Sequence, residues 1–287
     1  MALTGTARAT SWRLRAAELD LSLPRVAGIV NVTGDSFFSG ARSESPEAAI
    51  DRGIALAEAG FDMLDVGAVS AGAGSPVPAK EEEARLIPVI EALSARTGVP
   101  VSADTFTPSI ARGALAAGAE AINDIGGGAT DMLEAIAEAD CGYVLMHIEG
   151  PPRAERRPRR YDDVIEHLKS WFSRRIETAI ELGVIEDRIA LDPGIDFDLA
   201  VQDDLEILRR LEELHSLARP LYVSLSRKDF LGAVLAGSWE GRLPAEQREW
   251  ATAAAASLAV AAGAQLLRLH DTSALDAVRV AGRIVHG

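Results

Sequence analysis

The chain has 287 residues, 48% hydrophobic and 25% charged, an ordinary globular composition with room for one or two domains. A net charge of −14 argues against non-specific duplex binding, so no nucleic-acid partner is expected. The one cysteine, Cys141, excludes a disulfide framework or a cysteine-rich zinc site, and no apolar run approaches the ~20 residues that span a bilayer.

Residues 1–24 read as an N-terminal lead-in. Arginines are scattered through it without the apolar core of a secretory signal, and Glu18 and Asp20 interrupt any amphipathic leader. A soluble, cytoplasmic protein is expected. Residues 25–287 read as a single domain in which short apolar runs alternate with longer amphipathic stretches. The strand RVAGIVN opens into the polar loop VTGDSFFSG, followed by a helix predicted over Pro46–Ala59 with Ser45 as N-cap and Pro46 in the first turn. FDMLDVG precedes a helix over Ala79–Arg96, and PVSADT a helix over Thr107–Ala117. EAINDI and GYVLMH follow, then the basic run RAERRPRRYDD and a helix over Tyr161–Leu182. RIALDPG, LYVSLS, a helix over Ala245–Ala262 and QLLRLH complete the series. The helical stretches repeat apolar residues every three or four positions. Several end in Gly, in EAGFD, AAGAE, ELGVI and AAGAQ, where a left-handed residue can turn the chain into the next strand. The eight strands are too continuously apolar for a half-exposed sheet, which predicts a (β/α)8 TIM barrel. A doubly wound open sheet is the runner-up, but NVTGDSF is not a dinucleotide-binding turn.

Polar residues stand at almost every strand C-terminus: Asn31, Asp65, Asp104, Asn123 with Asp124, His147, Asp192, Ser226 with Arg227 and Lys228, and Arg268 with His270. In a barrel these converge on the catalytic mouth. A carboxylate there costs several kcal/mol to desolvate unless it is paired or bound. Any one of them could cap a helix, but capping does not demand acids and amides on so many consecutive units. The set predicts an acceptor-rich floor for a flat, N–H-rich heterocycle and a cationic rim of Lys228, Arg268 and His270 for a phosphate or pyrophosphate.

These motifs, GIVNVTGDSFFSG, DMLDVG, VSADT, AINDI, VLMH, LDPG, SLSRKDFLG and LRLHD, resemble in order and spacing those of the dihydropteroate synthases, from about Val26 to Asp271. The resemblance implies a TIM barrel, usually dimeric through its last two helices, that uses Mg2+. It joins p-aminobenzoate to 6-hydroxymethyl-7,8-dihydropterin pyrophosphate in folate synthesis and releases pyrophosphate. By the same resemblance Asp104, Asn123, Met146, Asp192 and Lys228 would bind the pterin, and Asn31, Arg268 and His270 the pyrophosphate, Asn31 by way of Mg2+. Phe37, Phe197 and Ser226 would line the p-aminobenzoate side. The first loop would be a flap that closes Thr33, Asp35 and Ser36 over the leaving group, with Asp35, Lys228 and Asp104 as the catalytic set. Small-molecule substrates, a homodimer and no membrane partner are implied.

The chain also departs from the pattern. Gly34 replaces the usual proline of the first loop, and AVSAGAG (68–74) places Ala71 and Gly72 where the family has Thr and Arg. After the sixth strand the usual Gly-Phe-Gly-Lys is DFDL, Asp196 to Leu199. The divergent second loop is also similar to that of the sulfonamide-insensitive synthases. Three readings stay open: an active synthase, a non-catalytic pterin-binding paralogue and, ranked last, a corrinoid methyltransferase using methyl-tetrahydrofolate. Elsewhere, His147-Ile148-Glu149 has the H-x-E spacing of zinc deaminases without their P-C-x-x-C partner. His167, His215 and His286 read as surface residues, Cys141 as a small buried hydrophobe, and Trp171 and Phe172 as packing.

Overall fold

The computed structural model describes residues 8–32, 45–72, 74–155 and 158–287. A hairpin of β1 (Ser11–Arg13) and β2 (Glu18–Asp20) precedes eight parallel strands. These are β3 (Arg25–Asn31), β4 (Met63–Gly67), β5 (Val101–Asp104), β6 (Ala121–Asp124), β7 (Gly142–Met146), β8 (Ile189–Asp192), β9 (Tyr222–Ser224) and β10 (Leu266–Leu269). Each pairs with its neighbour in chain order, and β10 pairs with both β9 and β3. Between β8 and β9 the circle closes through a parallel bridge of Leu191 with Leu221 and a 2.9 Å bond from the Leu191 N–H to the Pro220 carbonyl. The (β/α)8 barrel expected from the apolar runs is the fold observed.

Around it run α1 (Pro46–Glu58), α2 (Ala79–Arg96), α3 (Pro108–Ala116), α4 (Thr130–Ala139), α5 (Val164–Glu181), α6 (Val201–Arg209), α7 (Asp229–Ala236), α8 (Glu249–Ala261) and α9 (Thr272–His286). Ser45 caps α1 by accepting from the Ala48 N–H, as expected. The four helix-ending glycines, Gly60, Gly118, Gly183 and Gly263, all take positive φ, between 94° and 105°. The helix expected over Ala245–Ala262 is instead a 3-10 turn, Ala245–Gln247, followed by α8. The break falls at Arg248, whose buried guanidinium donates to Leu243 O, Arg227 O and Asp229 and so ties the chain to the preceding loop.

The two-residue period of a strand divides the side chains between two cores. Val26, Val30, Leu64, Val66, Ile122, Leu145 and Leu191 face the helices. Ala27, Met63, Ala121, Val144, Ala190, Tyr222 and Leu266 face inward and meet Trp12, Leu14 and Leu21. The lead-in therefore shares the barrel's interior: its hairpin plugs the N-terminal end, with Trp12 Nε1 donating to the Arg188 carbonyl at 2.8 Å. Gly142 makes room for this plug, since a Cβ there would stand 2.7 Å from Leu14. With the lower half filled, the inward positions one step higher form the base of an open cup.

Candidate active site

Continuing each strand by twos from the apolar layer brings Asn31, Asp65, Asp104, Asn123, Met146, Asp192, Ser224 and Arg268 to the C-terminal half of the interior. All but Asp65 line a cavity of about 370 Å³, joined there by Ser226, Lys228, His270 and Phe197. That volume suits a small ligand. Every described residue to which the resemblance gave a binding or catalytic role lines this cavity. Asp35 and Phe37, with the flap expected around them, lie outside the described residues.

Asp65 anchors the floor from beneath. Fully buried, it accepts from Ser102 Oγ at 2.6 Å, Asn123 Nδ2 at 3.0 Å and Arg268 Nε at 2.5 Å. Arg268 continues to Asp104, donating at 2.7 Å. The expected division into acceptor floor and cationic rim therefore fails for Arg268, whose head lies down between two carboxylates. Burial pushes Asp104 up to about 7; Arg268 opposes the shift, while the charges of Asp65 and Glu82 add to it. Burial alone would lower the Arg268 pKa, but Asp65 and Asp104 outweigh it and hold the guanidinium charged. Across the cup Asp192 accepts from the Gly194 N–H and the Ser224 hydroxyl, both at 2.8 Å. Its pKa is also raised by burial, against these hydrogen bonds. Gly194 is required here: its φ is 69°, and a Cβ would collide with the His147 carbonyl.

Between the two acids sits Asn123, only 3% exposed. Its amide nitrogen is committed to Asp65, which fixes the side-chain orientation. Its Oδ1 has no partner among the described residues. A buried carbonyl left without a donor costs roughly 1–3 kcal/mol, so this atom calls for an N–H from a ligand.

At the rim, Lys228 Nζ lies 4.1 Å above the Phe197 ring. His270 bonds Ser226 twice: its N–H donates to Oγ at 3.1 Å, and its Nδ1 lies 2.8 Å from the same atom. The Ser226 hydroxyl can both donate and accept, so it holds the imidazole by Nδ1 in either tautomer. Burial, then Arg268 and Arg227, push the His270 pKa down to about 3. His270 is thus neutral in the unliganded cup, where a cation was expected. The acids of DFDL also find a physical reason: Asp196 and Asp198 have φ of 69° and 62°. They adopt a left-handed backbone, open to glycine without strain and tolerated by Asp better than by most residues. Asp196 also accepts from the Asp229 N–H at 2.7 Å, tying this loop to α7.

Ala71 and Gly72 line the cup without supplying a hydroxyl or a cation. Arg153 does cross to this second loop, but its guanidinium donates to the Ser70 and Ser75 carbonyls. Two strand-end residues face away from the mouth. Asp124 accepts from the Gly126 and Gly128 N–H groups and from Tyr143 Oη at 2.7, 3.0 and 2.7 Å, a loop-capping role. His147 packs towards α5 with its ring 5.0 Å from Trp171. His215 is buried against the Gly263 carbonyl, and so is not the surface residue expected. Cys141 is buried, its thiol pushed up to about 12 by desolvation, so it is inert. Sequence reasoning missed Ser224 and Ile125 as lining residues. The signal for Ser224 was present, two residues beyond inward Tyr222 and two before Ser226.

A family described as pterin binding enzymes matches residues 27–270. The chain is 36% identical over 253 residues to a dihydropteroate synthase of Synechocystis, covering 87% of this chain and 86% of that protein. It is similar to the solved structure of Xanthomonas albilineans dihydropteroate synthase with 4-aminobenzoic acid (TM-score 0.86, 39% identity, 96% and 98% of the two chains). It is likewise similar to the Burkholderia cenocepacia synthase complexed with 7,8-dihydropteroate (TM-score 0.85, 34% identity, 96% of each chain).

Proposed function

We infer, from the premise that this chain belongs to the pterin-binding enzymes and is a homologue of the dihydropteroate synthases, that it is a transferase. It condenses 6-hydroxymethyl-7,8-dihydropterin pyrophosphate with p-aminobenzoate, giving 7,8-dihydropteroate and pyrophosphate in folate synthesis. The observation that carries the reading is the unpaired Oδ1 of Asn123 between Asp104 and Asp192. A pterin edge is rich in N–H donors, and a row of acceptors fixes such a ring flat and in one orientation.

The residue roles follow from that pose. Asp104, Asn123 and Asp192 accept from the ring edge, Met146 packs on the ring, and Lys228 reaches the ring carbonyl. His270 and Arg268 serve the pyrophosphate, Arg268 by sharing its charge between the floor and the leaving group. Phe197 and Ser226 border the p-aminobenzoate side, with Phe37 assigned there by resemblance. In the reaction the methylene C–O bond breaks, pyrophosphate leaves with its electron pair, and the aryl amine forms the new C–N bond and loses a proton. Positive charge developing on the pterin methylene is stabilised by the acids under the ring, a role the resemblance also gives Asp35. Asn31 offers a hard amide oxygen at the cup wall. One such donor suits Mg2+, which keeps its waters and binds mainly through substrate phosphates. When bound, Mg2+ would neutralise pyrophosphate charge and make it a better leaving group.

A homodimer through α8 and α9 belongs to the same proposal. Trp250, Ala254, Leu258 and Ala261 line one exposed side of α8, and Val280 and Ile284 are exposed on α9. No helix among the described residues is long and apolar enough to cross a membrane. We place the reaction in the cytoplasm, where a charged pyrophosphate is retained. The test is product formation and pyrophosphate release with both substrates. Release that depends on p-aminobenzoate is expected, falling roughly 10²- to 10³-fold in Lys228→Ala, the size of losing one preorganised charge-stabilising donor. Pterin binding without any product would instead make the chain a non-catalytic paralogue.

A further inference from the structure

Outside the cup, on the helix side of the wall, three side chains converge that the proposed reaction does not use. His147 leaves the end of β7 directed away from the barrel axis, Glu149 follows two residues later, and His167 comes from the first turns of α5. His147 Nε2 lies 3.2 Å from His167 Nε2 and 3.7 Å from Glu149 Oε1, and His167 Nε2 lies 3.0 Å from the same oxygen. Among the described residues this is the one group of three that brings metal-ligating atoms together in this way.

A proton on His167 Nε2 can serve Glu149 Oε1 at 3.0 Å or His147 Nε2 at 3.2 Å, but it cannot point squarely at both, and His147 Nε2 stands 3.7 Å from Glu149 Oε1, beyond hydrogen-bond distance. A cation at the centre engages all three atoms at once. The spacing also fits: a tetrahedral ion with bonds of about 2.0–2.2 Å separates its donors by roughly 3.3 Å.

The ligands are held in place. Tyr161 stacks on His167 with centroids 4.1 Å apart, and Trp171 meets the His147 ring edge-on. Arg159 lies 3.7 Å from the other Glu149 oxygen, leaving Oε1 directed at the imidazoles. His147 is fully buried, while Glu149 and His167 are each a quarter exposed, which leaves an opening for an ion and a water ligand. Two imidazole nitrogens and one carboxylate oxygen suit Zn2+ and its first-row neighbours, whereas Mg2+ prefers oxygen alone.

We propose that His147, Glu149 and His167 form a zinc-class metal site, separate from the pterin cup, that staples the end of β7 and its following loop to α5. The site stands independently of the pterin reading, and its test reads metal binding. Metal-free full-length protein is titrated calorimetrically with Zn2+ in excess Mg2+, and in parallel with Co2+ by visible absorption. One saturable equivalent is expected, with the intense d–d bands of tetrahedral Co2+ and a melting temperature raised by Zn2+. His167→Ala and Glu149→Gln should each weaken Zn2+ binding more than the roughly 10- to 100-fold lost with an outer-shell partner, and abolish the Zn2+-dependent melting shift. Because Glu149 lies on a loop, its variant reports even if His167→Ala folds poorly. Absence of saturable Zn2+ binding, or binding unchanged in both variants, would overturn the proposal.

Discussion

Asn123 divides its amide between two tasks. The nitrogen is spent on Asp65, and that bond turns the oxygen, unpaired, to the wall of the cup. Asp104 shares Arg268 with Asp65, so two buried carboxylates compete for one guanidinium, and burial holds Asp104 up at about 7. The consequence for binding has a definite sign. Above that value Asp104 is ionised and accepts from a pterin N–H; below it, its protonated oxygen meets the ring as a donor. Affinity for a pterin without phosphate should therefore fall as pH drops through about 7, and Asp104→Asn should flatten the profile, as read by calorimetry over that range. A profile unchanged in the variant would assign the titration elsewhere. The sequence made Asp104, Asn123 and Asp192 legible because they end apolar runs. The strand pattern alone did not distinguish Asn123 from its neighbour Asp124, since register decides which faces inward; the resemblance chose Asn123. Nor did it reveal that Arg268 lies across the floor, because that contact joins the last strand to β4 and β5, far apart in the chain.

The β1–β2 hairpin closes the barrel from below, and its short strands carry no periodic signal, so the sequence showed only a lead-in. Trp12 is fully buried there, packed among the inward residues of the strands and hydrogen-bonded to Arg188 O. Trp12→Ala should cost about 3–5 kcal/mol by urea denaturation, the range for truncating a buried aromatic side chain. A cost below about 1 kcal/mol would mean that the plug is not part of the cooperative core. Elements with long apolar periods were legible almost to the residue: α2 occupies Ala79–Arg96 as expected, and the glycines expected to end helices do so with positive φ. The break before α8 was not, because it depends on a buried Arg248 reaching three groups outside its own helix.

At the scale of the whole molecule, the barrel separates support from chemistry. A plugged, mostly apolar lower half carries an upper half whose polar groups brace one another. The apolar stripe of α8 and α9 faces away from this cup, with Leu258 66% and Ile284 78% exposed. In a C2 dimer both copies would bury it. If the proposed dimer forms there, the unmodified protein should sediment as a dimer and Leu258→Glu with Ile284→Lys as a monomer in analytical ultracentrifugation; a sedimentation coefficient unaffected by the pair would overturn that interface. The most direct test of the whole account is the crystal structure of the protein with a dihydropterin bound. The account expects the ring flat in the cup between Asp104 and Asp192, with a ring N–H within hydrogen-bond distance of Asn123 Oδ1. A ring seated elsewhere, or one that leaves that oxygen unpaired, would contradict it.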